Sequence, residues 1–166
     1  MSTLALHPEN QFVAMIVPTT VGGAGKNGIN ISLKNAQRAF IWCINQKGAD
    51  ATQCTWTLAQ SSGNAGSATG TGEKAMTNNV PIYYSDSFAG DNSLAAATAA
   101  KSYAQAVTQS VTQVVVFDIV PEACMDLAGN FDCVTVNASD PAAANTITAF
   151  AMIVPRQTPL ATPFSD

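Results

Sequence analysis

The chain has 166 residues, room for one domain rather than two. Hydrophobic residues make up 47%, but 28 of them are alanine, so larger apolar side chains amount to about 30%, still enough for a core. Charged residues are only 11%, against about 25% in an ordinary domain, so Ser, Thr, Asn, Gln and Ala must dress the surface. Such a surface is poor in solubilising charge and suits packing against other protein.

The first ten residues read as an arm. Phe12 to Val17 is of β type and stops at Pro18. A Gly-rich loop follows from Gly22 to Gly28. Gly28-Ile-Asn-Ile-Ser-Leu33 alternates apolar and polar residues, the period of a half-buried strand. Ala39 to Asn45 and Gln53 to Gln60 form a candidate hairpin turning around Lys47 to Asp50. Ser61 to Gly72 is a loop. Val80 to Tyr84 is a short strand, and Pro81 predicts an edge position.

Residues 91–100 carry the strongest helix propensity, with Asp91, Asn92 or Ser93 as a cap. Few large apolar residues support it, so the expectation is a short helix at most, then extended chain from Ser102 to Thr108. Val114 to Val120 is apolar on both faces apart from Asp118 and predicts a central, doubly covered strand. Pro121 ends it and opens a short helical turn through Met125. Phe131 to Val136 and Thr146 to Val154 are the last strands. Residues 155–166, with Pro155, Pro159 and Pro163, form a Pro-rich tail. The sum is a mainly β chain. We expect a two-layer β-sandwich or barrel-like fold over residues 11–154, one or two short helices and extended termini.

The search for chemistry returns little. Net charge is −4, and the seven Lys and Arg are scattered singly, so no basic patch gathers phosphates and no nucleic-acid partner is expected. No apolar run approaches the ~20 residues of a membrane helix, so no membrane partner is expected. The N-terminus lacks the pattern of a signal peptide. Gly22-Gly-Ala-Gly-Lys-Asn resembles a phosphate loop only superficially, because Thr20 stands where the first Gly belongs and Asn27 where the Mg²⁺-binding hydroxyl belongs. His7 is the single histidine and has no arguable partner. Asp118, Glu122, Asp126 and Asp132 could supply a carboxylate pair, but turn and capping roles are the expectation. Asn30-Ile-Ser and Asn137-Ala-Ser match the glycosylation pattern by chance. Trp42, Trp56, Tyr83 and Tyr84 could make a sugar-stacking platform, though aromatics on strands more often fill a core or an interface.

The four cysteines, Cys43, Cys54, Cys124 and Cys133, have no zinc-like spacing. A hairpin would let Cys43 and Cys54 bridge across strands. The favoured expectation is buried thiols acting as small hydrophobes. No catalytic, cofactor-binding or metal-binding residue is assigned.

Four stretches occur in a telling order: Gly28 to Asn35; Gly70 to Tyr83; Val114 to Pro121 with Gly129 to Val136; and Ala142 to Ala149 running on to Ile153-Val-Pro-Arg156. Over residues 11 to 156 this order resembles a group of small structural proteins of tailed bacteriophages, usually encoded near the major capsid protein. The resemblance implies a non-enzymatic virion component made in the bacterial cytoplasm. It implies a decoration, or cement, protein on the outer surface of the head, contacting the major capsid protein and its own copies, often as a homotrimer. A neck or tail protein is the alternative within that class, and a carbohydrate-binding β-sandwich is the alternative outside it. An acidic protein also sits better outside a capsid than against packaged DNA.

Overall fold

A computed structural model describes residues 11–21, 23–48, 52–63, 65–88, 93–108, 110–139 and 145–156. His7, the N-terminal arm and residues 157–166 of the tail lie outside the described residues, as do Asp91 and Asn92 of the expected helix cap.

Among the described residues, twelve strands run in chain order: β1 (Gln11–Val21), β2 (Lys26–Asn27), β3 (Ile31–Ser32), β4 (Ala36–Gln46), β5 (Thr55–Ser61), β6 (Lys74–Ala75), β7 (Val80–Ser85), β8 (Ala95–Ala100), β9 (Ser102–Ala104), β10 (Thr112–Ile119), β11 (Cys133–Ala138) and β12 (Asn145–Pro155). They form two sheets of six. The first has the order β1-β12-β4-β10-β7-β8; the second is built on β2-β11-β5-β6, with β3 also on β11 and β9 also on β5. One helical turn, α1 (Pro121–Cys124), follows β10 with Pro121 in its first turn. A 3-10 turn covers Leu127–Gly129. The fold is a two-layer β-sandwich, mainly β with almost no helix.

The inward faces make one core. The first sheet contributes Ile41, Val115, Phe117, Ile147 and Ala149, while β5 and β11 contribute Trp56, Leu58, Val134 and Val136. Alternation along β12 shows the cause: its residues switch between buried and half-buried at every step from Asn145 to Val154. Strand β10 is the central, doubly covered strand that its apolar run predicts. Every residue from Gln113 to Ile119 is buried, with β4 on one side and β7 on the other.

Four expectations fail for identifiable reasons. The segment 91–100 contributes a strand. Alanine propagates helix well, but a stripe of methyl groups gives a helix no apolar face to bury. The open edge of β7 instead offers backbone partners, Ala95, Ala96 and Ala97 opposite Tyr84, Tyr83 and Ile82. Second, β4 and β5 are not a hairpin: they lie in opposite sheets. Residues 47–54 make a connection longer than the two to five residues of ordinary hairpins, which lets the chain cross the ~10 Å between layers. Third, β1 continues through Pro18. It is an edge strand, and its register shifts between Ile16 and Thr19, so the missing N–H breaks no ladder bond. Fourth, β7 lies inside the sheet, with a register shift between Val80 and Ile82 that accommodates Pro81. The expected strand from Gly28 to Leu33 survives only as β3 beside β11, and β12 extends into the Pro-rich tail as far as Pro155.

The long loop after β5 is held from below by Asn30. Its Nδ2 donates to the Ser67 carbonyl at 2.9 Å, and its Oδ1 accepts from Ser61 Oγ at 2.8 Å. Gly70 lies against this node. A Cβ there would stand 2.3 Å from Ser61 Cβ and 2.9 Å from Asn30 Oδ1. Gly70→Ala is therefore expected to destabilise the fold by ~1–3 kcal/mol through overpacking, read as a lower denaturation midpoint at unchanged slope. An unchanged midpoint would show that the loop moves aside.

Candidate interaction surface

The sandwich has two outer faces, and they differ. On the outer side of β5 and β11 stand Thr57, Ala59, Thr135 and Asn137, all small or polar. The outer side of the six-stranded sheet is apolar and aromatic. Cross-strand register aligns Ala14, Phe150, Trp42, Val116, Tyr83 and Ala96 in one row across all six strands. A second row sets Phe12, Met152 and Phe40 beside Asp118, and a third sets Thr148, Ile44 and Val114 beside Ser85.

The relief of this face follows from residue size. Trp42 and Phe150 stack with ring centroids 6.0 Å apart and planes 3° apart, forming a ridge along β4 and β12. Beside it, β10 presents Val114 and Val116. Val114 and Val116 are 2% and 3% exposed, yet they lie outside the core cluster. Neighbouring side chains on the outer face cover both valines. Phe12 remains 57% exposed at the β1 edge.

One ion pair crosses this face. Arg38 Nε donates to Asp118 Oδ1 at 2.6 Å, and its Nη2 donates to Asp118 Oδ2. Asp118 is buried, and Arg38 lies over the Phe40 ring at 4.9 Å from its centroid. The hydrogen bond that Arg38 donates to Asp118 holds the guanidinium above its usual pKa, against a smaller opposing effect of burial. Past this pair the face falls into a groove of about 450 Å³ lined by Arg38, Phe40, Val154, Val120 and Glu122. Arg156 pairs with Glu122 at its mouth.

The carboxylates do not converge. Asp118 is a buried strand residue rather than a turn residue, Glu122 engages Arg156, and Asp132 accepts from its neighbour Cys133. Asp126 is the capping residue expected. Its carboxyl lies below the usual carboxylate range because Lys74 Nζ donates to it at 2.7 Å and the Gly129 N–H donates at 3.0 Å. Asn30 is fully buried and bonded through both side-chain atoms, so its glycosylation pattern is inert in the folded chain. Of the four aromatics considered as a platform, Trp56 belongs to the core and Tyr84 turns inward against Tyr103. Trp42 and Tyr83 remain outside. Sequence reasoning missed Phe150, Phe40 and Met152, although the alternation in β4 and β12 marks them as the face opposite the core.

Polar residues close one end of the interior. Asn45 Nδ2 donates to Gln105 Oε1 at 3.1 Å, while Gln113 Nε2 and Lys47 Nζ both donate to the Ala106 carbonyl. Asn45 Oδ1, Gln105 Nε2 and Gln113 Oε1 have no partner among the described residues. No cluster of three metal-ligating side chains occurs among the described residues.

All four cysteines are buried thiols. Cys43 and Cys54 face inward from opposite layers, so the cross-strand bridge that a hairpin would allow has no hairpin to form on.

No family model matches the chain, and no curated protein matches it. Among solved structures it is similar to the SPBc2 prophage-derived protein YomS, with a TM-score of 0.47 and 8% identity over 92% of this chain and 99% of that one. An overlap that loose decides neither fold nor function.

The thiol chemistry is directly testable. Burial pushes the Cys43 thiol well above its ordinary pKa, with the neighbouring Cys54 adding to the effect, and burial followed by Asp132 pushes Cys133 up to about 11. The thiolate is the reactive form. At pH 8 both should therefore resist alkylation in the native protein and react fully once it is denatured. Rapid native labelling of Cys43, measured by peptide mass analysis, would contradict its burial.

Proposed function

We propose that this chain is a non-enzymatic structural protein of a tailed-phage virion that decorates and stabilises the outside of the head. The observation that carries the reading is the outer face of the first sheet, whose central rows are apolar and aromatic and whose Arg38 and Asp118 neutralise each other. A large contiguous apolar patch marks an association surface. The ordered sequence resemblance over residues 11 to 156 supplies the virion context, and a charged fraction of 11% suits a protein held by many weak contacts. In this reading the partners are the major capsid protein and further copies of the chain, arranged as a homotrimer. Residues 1–10 and 157–166 serve as attachment arms. Proline lowers the entropy that an arm loses on docking.

A second reading has one observation in its favour. Trp42, Phe150 and Tyr83 share a row and could stack against sugar rings. Glycan binding by the isolated protein, lost in Trp42→Ala, would establish it in place of the first.

Copy number in purified particles tests the virion reading. Head decoration requires on the order of hundreds of copies, since a closed symmetric lattice repeats its site many times. About six or twelve copies would place the protein in a ring at the neck or tail instead. Absence from particles would end the reading. Deleting residues 157–166 should leave the melting temperature nearly unchanged and weaken attachment to heads. Full occupancy by the truncated protein would remove the arm from the account.

A further inference from the structure

The sequence holds one Asn-Gly step, Asn27-Gly28. An asparagine followed by glycine is open to ring closure, because glycine has no Cβ to shield its amide nitrogen and little backbone restraint. That nitrogen attacks the asparagine Cγ, and the new C–N bond closes an imide ring. The side-chain nitrogen leaves as ammonia, taking up the proton that the attacking nitrogen loses. Water then opens the imide at one of its carbonyls. One opening leaves an aspartate. The other leaves an isoaspartate, whose side-chain carbon has entered the main chain.

The fold itself creates this step. Gly28 is buried, and a Cβ there would stand 2.7 Å from the Val136 carbonyl oxygen, a backbone atom inside the second sheet. Position 28 therefore demands glycine. Position 27 demands nothing comparable, since Asn27 is exposed on β2, opposite Asn137. The side chain that would be attacked stands in water, while the attacking nitrogen lies inside.

Hydrogen bonds hold that nitrogen and its neighbours. The Gly28 N–H donates to the Val136 carbonyl at 2.9 Å, and Thr135 Oγ1 donates to the Gly28 carbonyl at 2.7 Å. The next amide, Ile29 N–H, donates to the Met15 carbonyl at 2.9 Å. Attack would break the first bond and turn the backbone that the other two fix. The weak side is β2, which is two residues long and ends its sheet beyond β11. Gly23, in the loop that leads into it, has φ +81° and open space around it. An edge strand this short opens at far lower cost than the whole molecule.

We propose that Asn27-Gly28 is a modification site gated by the docking of β2. It is closed while Gly28 is bonded to Val136 and Thr135, it converts through transient opening of β2, and it is irreversible once isoaspartate forms. The added main-chain carbon offsets Gly28 from both partners, so a converted β2 cannot dock in the same register. Conversion also adds one negative charge to a chain that carries −4. This chemistry is independent of what the chain assembles with.

The test holds the full-length protein at mildly alkaline pH, folded or in denaturant, and follows conversion at Asn27 by peptide mass analysis. Folded wild type should convert roughly tenfold or more slowly than the denatured chain, the factor by which opening is rare. Equal rates in the two states overturn the proposal, and that comparison needs no variant. Thr135→Val keeps the side-chain outline and removes the hydroxyl bonded to the Gly28 carbonyl. It should convert roughly fivefold faster than wild type when folded, the effect of one ordinary hydrogen bond, and at the wild-type rate when denatured. A folded Thr135→Val protein that converts no faster than wild type overturns the gate as well.

Melting tests the irreversible step. Asn27→Asp carries the new charge without the extra main-chain carbon and should melt like wild type. Aged protein enriched in isoaspartate at position 27 should melt at a lower temperature. Aged protein that melts like Asn27→Asp shows that β2 still docks and overturns irreversibility.

Discussion

Strand β10 is buried along its length from Gln113 to Ile119, and this sets the constraint that the rest of the molecule answers. A strand has two faces, and a two-layer sandwich covers one of them. Val115, Phe117 and Ile119 are covered by the second sheet and belong to the core. Val114, Val116 and Asp118 point the other way. There the cover comes from within the sheet itself, from the aromatic side chains of β4, β12 and β7 and from the Arg38 guanidinium. The molecule therefore has a core on one side of this sheet and a thinner apolar layer on the other.

That asymmetry connects stability to association. The outer residues of β5 and β11 are small or polar, and Ala59 and Thr135 among them are buried. The outer residues of β4 and β12 include Phe40, Trp42, Ile44, Phe150, Met152 and Val154, all half-buried in the single chain, beside Arg38, Gln46, Thr146 and Thr148. A buried carboxylate at Asp118 costs desolvation and is tolerated because Arg38 meets it with two hydrogen bonds. The pair leaves no net charge on the face, so the same contact that satisfies Asp118 also keeps the surface compatible with apolar packing.

The ends of the sandwich are closed differently. One end carries Asn45, Gln105, Gln113 and Lys47, inward-facing residues that share the Ala106 carbonyl and one another. Elsewhere Gln60 is fully satisfied, donating to the Ala75 carbonyl and to Thr77 Oγ1 and accepting from the Asp126 N–H. Buried amides of this kind specify which loop sits over which strand more than they add net stability, because each must match partners that a shifted register would not supply.

The sequence alone determined the β class, the central position of the Val114–Val120 strand, the helical turn opened by Pro121 and the presence of a final strand from Thr146 to Val154. Each of these rests on local pattern: a period of two, an uninterrupted apolar run, or a proline where its ring fits. Tertiary structure decided everything that depends on which strand a segment meets. Residues 95–100 became a strand because β7 had an edge to fill, and β4 parted from β5 because the connection was long enough to change layers. Pro81 sits inside a sheet because a register shift absorbs its missing donor. The aromatic face was missed: alternation in β4 and β12 puts Phe40 with Trp42 and Phe150 with Met152 on one side of their own strands, but only the pairing of β4 with β12 and β10 brings them into one surface. Periodicity reports which way a side chain points from its own strand, and register, set by contacts far apart in sequence, reports what stands beside it.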